Sequence, residues 1–467
     1  MSLQTRVWCA LLLAALGAAR VACAAPHPHI VYITVDDLGW KDVGYHGSIV
    51  QTPIIDRLAA AGVRLEQFYV QPFSSQTRAA ALTGRYPMRY GMQTMQVQWN
   101  SQFGLPADER LLPKTLKEAG YRTALLGKWQ LGHARKEMRP VQRGFDVFYG
   151  HLTGEIDYFK KTNRGGEHDW WQNEKPLNEP GYVTTLLAQQ AVKLIAHHDP
   201  KVPLFLWLAF AAPQAPLQAP SSFLDRYADV QDPHQRAYRA MISTVDAAVG
   251  DTLAALEARG MLADTLIVFH STTGGAAPTK YPTGDGDTTS QTASNGPYRD
   301  SKGSLYEGAL RAVAFAVWPE HISAGVVNEL MHTVDLYPTI LAAVGVPLKP
   351  LKPLDGIDQW QTISAGSPSP RKEVLLDIED FRGALRVGNW KLVHIATLPS
   401  HSELYNLHAD PSEEDNQVDR EPERVAALLK RLTEYAWEMT PSRYLDDLMH
   451  PHRGDMPIYW GDNPVRP

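Results

Sequence analysis

Four apolar runs constrain this chain more than anything else in it. Residues 29–35, 121–127, 203–210 and 265–270 are dense in Val, Ile, Leu, Phe and Trp and show little polar alternation. Runs of that length without alternation read as strands buried on both faces, the signature of a parallel sheet covered by helices. Helical patterns lie between them, at 53–61, 112–119, 183–196 and 236–259. Thr52-Pro53 reads as a cap followed by proline at the first helical position, and Gly62 and Gly120 stop two of the helices. The alternation predicts an α/β fold with a large, mixed but mostly parallel sheet between helices. The first, second and fourth runs lead directly into polar groups: Asp36-Asp37, Lys128 and Ser271-Thr272-Thr273. In open α/β sheets, ligands collect at that carboxyl-terminal edge.

Residues 71–87 are the most informative loop. A Ser/Thr-rich turn, Ser74-Ser75-Gln76-Thr77, leads into a short helical pattern over 78–82 that Gly84 ends. A helix start exposes unpaired backbone N–H groups, and Arg78 and Arg85 stand close by, which suits an anion. The same residues also read as an ordinary helix cap. Asp36 and Asp37 carry a similar ambiguity. Adjacent carboxylates are costly unless a cation offsets them, yet one capping and one surface aspartate would look the same in sequence.

The chain has 467 residues, enough for a large core and two domains. Its hydrophobic fraction of 44% and charged fraction of 21% are those of a soluble globular protein. A net charge of −6 argues against nucleic-acid binding, so any anion site must be a local cluster of cations. Arg6, the apolar stretch 7–18 and Ala22-Cys23-Ala24 read as a secretory signal over residues 1–24, which predicts a secreted or periplasmic protein. No other run approaches membrane-spanning length. Both cysteines, Cys9 and Cys23, lie in that signal. The mature chain is therefore expected to hold no disulfide, no thiolate metal site and no cysteine nucleophile. An α/β domain is expected over 26–346, a Pro/Gly/Ser-rich linker over 347–370, and a smaller α+β domain with an antiparallel sheet over 371–467. In the last, a hairpin turns at Gly388-Asn389, a strand covers 403–407 and a helix covers 422–439. The Thr/Gly-rich stretch 276–294 reads as a loop.

Several phrases together resemble the sulfatase family. Asp36-Asp37-Leu38-Gly39 is similar to its Asp-Asp-x-Gly opening, in which both Asp bind calcium. Residues 74–78 and Leu82-Thr83-Gly84-Arg85 resemble its Cys-x-Pro-Ser-Arg and Leu-Thr-Gly-Arg segment, whose Cys is oxidised to formylglycine. Lys128-Trp129-Gln130-Leu131-Gly132 resembles Lys-Trp-His-Leu-Gly, and Gln214 stands where Pro-His-x-Pro has its His. Ser271-Thr272-Thr273-Gly274-Gly275 resembles Ser-Asp-Asn-Gly-Gly, whose Asp and Asn complete the calcium site. Lys302 and residues 307–311 and 403–413 continue the match, which spans the mature chain and is similar to arylsulfatases and N-acetylgalactosamine-4-sulfatases. The resemblance implies an alkaline-phosphatase-like fold, Asp36 and Asp37 as metal ligands, and Arg78, Lys128 and Lys302 as sulfate contacts.

The departures fall on the chemistry. Ser74 replaces the nucleophile Cys, Thr272 and Thr273 replace two calcium ligands, and Gln130 and Gln214 replace two histidines. Thr hydroxyls are weak calcium ligands, so the implied metal site is weakened. Glutamine does not titrate near neutral pH. Maturation systems that oxidise serine read Ser-x-Pro/Ala-x-Arg, and Gln76 departs from that, so formylglycine at Ser74 is not expected. The expectation is a sulfatase-like protein with impaired or absent hydrolysis that binds a sulfated glycan, an aryl sulfate or another anion. Two alternatives stand beside it: an active sulfatase using modified Ser74, and a phosphatase-like hydrolase with Ser74 as direct nucleophile.

Overall fold

The computed structural model describes residues 27–283, 286–290, 292–450, 458–460 and 463–465. The signal reading for residues 1–24 lies outside the described residues.

Each apolar run is a strand: β1 His29–Val35, β2 Arg122–Lys128, β3 Leu204–Phe210 and β4 Thr265–Ser271. They are neighbours in the order β4-β1-β3-β2, all parallel, at the centre of a ten-stranded sheet. On one side the sheet extends through Ala314–Val317, antiparallel to β4, then Val63–Leu65 and Gly325–Val327. On the other it extends through Val147–His151 to two short strands.

Alternate residues of β1 feed two separate cores, as a doubly covered strand requires. Val31, Ile33 and Val35 point to one, with Ile55, Leu187 and Met241 from the helices Pro53–Ala61, Val183–Ala196 and Pro233–Ala258. Ile30 and Tyr32 point to the other, with Ala79, Leu82, Leu116 and Ile340 from the opposite helix layer.

The first long loop carries α1, Pro53–Ala61. Thr52 precedes it but does not cap it. Its hydroxyl instead accepts from the Gly44 N–H at 2.8 Å and donates to Asp56 at 3.0 Å. The orphan N–H groups of Ile54 and Ile55 go to Oδ1 of Asp246, at 3.0 and 2.8 Å. A carboxylate reaching across from another helix has won over the local hydroxyl.

The second helix of interest, α2, runs Ser74–Thr83, so it begins four residues earlier than the sequence pattern suggested. Gly84 ends it in the left-handed conformation, φ 69°. All ten residues of α2 are buried. Its Ala79 and Ala81 join the core that holds Tyr32 and Trp207, Ala80 joins the cluster of Leu375 and Leu385, and the helix Leu336–Ala343 packs alongside.

The stretch 276–294, read from sequence as a loop, contains an antiparallel hairpin of Thr279–Thr283 and Gly286–Ser290. Its Thr and Tyr residues suit a strand despite their polarity. Beyond the short helix Trp360–Ala365 lies a four-stranded antiparallel meander from Glu373–Ile378 to His401–Asn406. The helix Pro422–Trp437 packs Leu428, Leu432 and Tyr435 onto Leu375, Leu385 and Leu392 of that sheet. No described helix is long and apolar enough to cross a membrane.

Candidate anion site at the sheet edge

The ends of the central strands converge on one buried cluster. Asp36 and Asp37 leave β1, Lys128 ends β2, Gln214 follows β3, and Thr272 and Thr273 follow β4. The strands stand so close here that a Cβ on Gly127 would lie 2.1 Å from the Ala209 carbonyl oxygen. Two non-glycine residues at this edge, Asp37 (φ 59°) and Gln130 (φ 55°), adopt the left-handed conformation. Such backbone is held in place by its surroundings and collects at functional sites.

Asp36 is the hub. Its Oδ1 accepts from Arg78 Nη2 at 2.7 Å and from the Thr272 hydroxyl at 2.6 Å. Its Oδ2 accepts from Lys128 Nζ at 2.5 Å. Asp36, Arg78 and Lys128 have side chains with no solvent exposure. Burial alone would raise the Asp36 carboxyl, but Arg78, Lys128 and the Thr272 hydroxyl outweigh it and hold the group well below the usual carboxylate range. Burial pushes Lys128 the other way, down to about 8, helped by Arg78 and Lys302 and opposed by Asp36.

Arg78 is fixed on three sides. Beyond Asp36 it donates to the Lys128 carbonyl at 3.1 Å and lies over the Trp207 ring at 5.5 Å. Lys128 also donates to Gln214 Oε1 at 2.6 Å. Lys302 reaches in from a separate loop and donates to Asp37 Oδ1 at 2.6 Å, and the Thr273 hydroxyl donates to the same oxygen at 3.3 Å. That loop is anchored where Lys302 N–H donates to the Gly275 carbonyl and Gly303 N–H to the Pro72 carbonyl, the latter beside α2.

The structure thus brings Asp36, Asp37, Arg78, Lys128, Lys302, Gln214, Thr272 and Thr273 into one hydrogen-bonded network. Ser74 and Gln130 stand apart from it. Ser74 is fully buried at the first position of α2, and its hydroxyl has no hydrogen-bond partner. The Gln130 amide donates to the Val97 carbonyl at 3.2 Å and to Gln96 at 3.3 Å, while its oxygen is unpartnered. Gln76 donates to the Gln93 carbonyl. Residues 93–97 therefore cover α2, and the Val97 N–H donates to the Ser75 hydroxyl at 3.0 Å. Nothing in the sequence marked that segment, since its hydrogen bonds to α2 are made by its backbone groups.

The implied calcium site can be tested against these donors. A calcium ion takes six to eight oxygens. Here two carboxylates and two hydroxyls face each other, and both hydroxyls donate to the carboxylates. Asp36 uses both oxygens on cations or on Thr272. Three cations against two carboxylates already leave one net positive charge in a largely buried site. This donor set does not fit a divalent ion. Among the described residues, no group of three or more His, Cys, Asp and Glu side chains is placed to hold a metal.

Fold and site together define an α/β protein with a hydrolase-type fold whose buried charged cluster sits at the carboxyl ends of parallel strands. More specifically, the chain belongs to the sulfatase family, whose sequence profile matches residues 28–346. It is 34% identical to mouse arylsulfatase J over 89% of this chain and 77% of that protein. It is likewise 34% identical to mouse N-acetylgalactosamine-6-sulfatase over 86% of this chain and 78% of that protein. Among solved structures it is similar to Ps i-CgsB in complex with a neocarrahexaose, with a TM-score of 0.81, 29% identity, and coverage of 92% of this chain and 98% of that one. It is also similar to the PsFucS1 sulfatase from Pseudoalteromonas, with a TM-score of 0.71, 27% identity, and coverage of 88% and 91%.

Proposed function

We propose that this chain is a non-hydrolytic member of the sulfatase family that binds a sulfated glycan at the mouth of a closed reaction centre. The observation that carries this reading is the state of Ser74. Its hydroxyl is fully buried and has no base within hydrogen-bond reach. An alcohol becomes a useful nucleophile only when an adjacent base or a metal activates it. The groups nearest in role, Gln130 and Gln214, cannot take a proton at neutral pH. Leaving-group protonation fails for the same reason.

Two features support binding. The charged cluster is net positive and lies against α2. At the segment that covers α2 opens a cavity of about 300 Å³ lined by Gln96, Gln98, Trp99, Gln130, Glu155 and Arg164. Gly165 packs against the Trp99 ring, so a side chain there would collide with the indole at about 2.5 Å. A held aromatic face, amides and an exposed arginine, which pairs with Glu155 at 3.5 Å, suit a sugar ring bearing an anionic group. Ps i-CgsB, the structural neighbour, is itself seen with a carrageenan-type hexaose. Export through residues 1–24 belongs to the same reading, since such glycans are extracellular.

The experiment pairs turnover with binding. Aryl sulfate and aryl phosphate are offered with and without calcium, beside a Ser74→Ala control. The expected outcome is no Ser74-dependent product. Carrageenan-type oligosaccharides are then titrated calorimetrically. Saturable binding that Trp99→Ala and Arg164→Ala weaken is expected, and absence of binding rejects the glycan part. Turnover lost in Ser74→Ala, with the Ser74 peptide lighter by two hydrogens, would reject the non-hydrolytic part.

A further inference from the structure

We propose that Lys302 is a tethered counter-cation which, with Thr272 and Thr273, has taken the place of a divalent metal between Asp36 and Asp37. The carboxylates are neutralised in this way whether or not the protein binds a glycan.

Two adjacent buried carboxylates at a sheet edge need positive charge close by. Here each has its own. Asp36 is held by Arg78 and Lys128, at 2.7 and 2.5 Å. Asp37 is held by Lys302 at 2.6 Å, with the lysine side chain 12% exposed and the aspartate 5%. The threonines complete the arrangement. The Thr272 hydroxyl gives its hydrogen to Asp36 and the Thr273 hydroxyl gives its hydrogen to Asp37. A metal in this slot would need the same carboxylate lone pairs and would meet two hydroxyl hydrogens and three cations. Replacing a carboxylate and an amide by Thr272 and Thr273 removes the charge and the carbonyl that favour a metal. It also supplies donors that the remaining carboxylates accept. The loop geometry fits an ammonium that is built in, because the Lys302 backbone is pinned to Gly275, two residues after Thr273.

The full chain, purified without added metal, is analysed for bound Ca, Mg, Mn and Zn. It is then melted with excess EDTA and with each ion at millimolar concentration. Substoichiometric metal and superimposable melting curves are expected. A stoichiometric divalent ion, or a melting temperature that EDTA lowers by several degrees, overturns the proposal. Lys302→Met separates the tethered cation from a bystander. It is expected to lower the melting temperature in EDTA and in calcium alike, and an unchanged melting temperature overturns the proposal. The double variant Thr272→Asp, Thr273→Asn tests the other half. It is expected to melt earlier than the parent in EDTA and to recover with calcium. If it is folded and indifferent to calcium, the threonines are not what closes the slot. Metal analysis and the Lys302→Met melt decide the matter even if the double variant does not fold.

Discussion

The ammonium of Lys128 bridges two oxygens, Asp36 Oδ2 at 2.5 Å and Gln214 Oε1 at 2.6 Å. The lysine thereby ties the carboxyl end of β1 to the loop that follows β3 while ending β2 itself. A side chain committed to two buried acceptors serves first as an internal link. The resemblance assigns the same lysine to sulfate, and the position of Gln214 is one where the family has His. A neutral amide oxygen accepts the lysine proton at any pH in the working range, whereas an imidazole would do so only when deprotonated.

Breaking that link on the carboxylate side should be costly. Asp36→Asn leaves Arg78 and Lys128 buried without their counter-charge. Removing one partner of a buried ion pair typically costs about 3–5 kcal/mol. Urea unfolding is expected to show a loss in that range. A loss below about 1 kcal/mol, the size of an exposed pair, would mean that water reaches the cluster. Adding Lys128→Met to the same variant should cost less than the sum of the two single changes, because the second substitution removes a charge the first had stranded.

Ser74 predicts the opposite sign. Its hydroxyl is buried without a partner, and an unmet buried hydroxyl costs about 1–3 kcal/mol. Ser74→Ala deletes the group and leaves almost no cavity. Stability is expected to stay level or to rise by up to about 1 kcal/mol. A drop of about 2 kcal/mol or more would show that the hydroxyl has a partner, such as an ordered water, that matters.

A third test concerns α1. Asp246 caps it through two backbone N–H groups from a helix that lies nearly two hundred residues later in the chain. Asp246→Ala strands both donors and is expected to cost about 1–2 kcal/mol. Thr52→Ala should also destabilise, but by loosening the Gly44 turn. Hydrogen exchange separates the two: faster exchange at Ile54 and Ile55 is expected only in the Asp246 variant.

These contrasts show what the sequence could and could not reveal. The four buried strands were legible because each is a long apolar run bounded by turns, and the site fell at their ends because parallel strands put their carboxyl termini on one edge. Asp36, Lys128 and Thr272 could be placed together on that basis alone, whereas Gln214 was picked out only by the family resemblance. The helix limits were less legible. Ser74 to Thr77 look like a cap in isolation, yet tertiary contacts with residues 93–97 draw them into α2. Thr52 failed as a cap for a related reason, since the better acceptor, Asp246, is distant in sequence. Trp99 and Arg164 escaped notice because loop residues that line a cavity carry no periodic signal.

The fourth test is a pH dependence where the carboxyl-terminal sheet meets the helix Glu307–Leu310. Lys391 pairs with Glu307 at 3.0 Å and with Glu413 at 2.8 Å, and all three side chains are fully buried. Glu307 also accepts from Tyr69 at 2.6 Å and lies 3.7 Å from Arg311, while Arg386 donates to Tyr69. Glu413 accepts the Glu307 backbone N–H at 2.7 Å and has left-handed backbone, φ 56°. Burial raises both carboxyls, but the cations and the Tyr69 hydroxyl bring Glu307 below its ordinary value. Glu413 has fewer donors. Burial and the neighbouring Glu307 charge push it up from 4.5 to about 7 against the pull of Lys391. The folded state therefore binds a proton on Glu413 that the unfolded chain has already released. Its stabilising share is complete below about pH 4.5, the ordinary glutamate value, and is lost as pH rises through 7. Melting curves of the parent should decline over that window relative to Glu413→Gln, whose neutral amide keeps the backbone hydrogen bond without titrating. Parallel curves for the two proteins from pH 5 to 8 would show that Glu413 is ionised throughout and that Lys391 neutralises both glutamates.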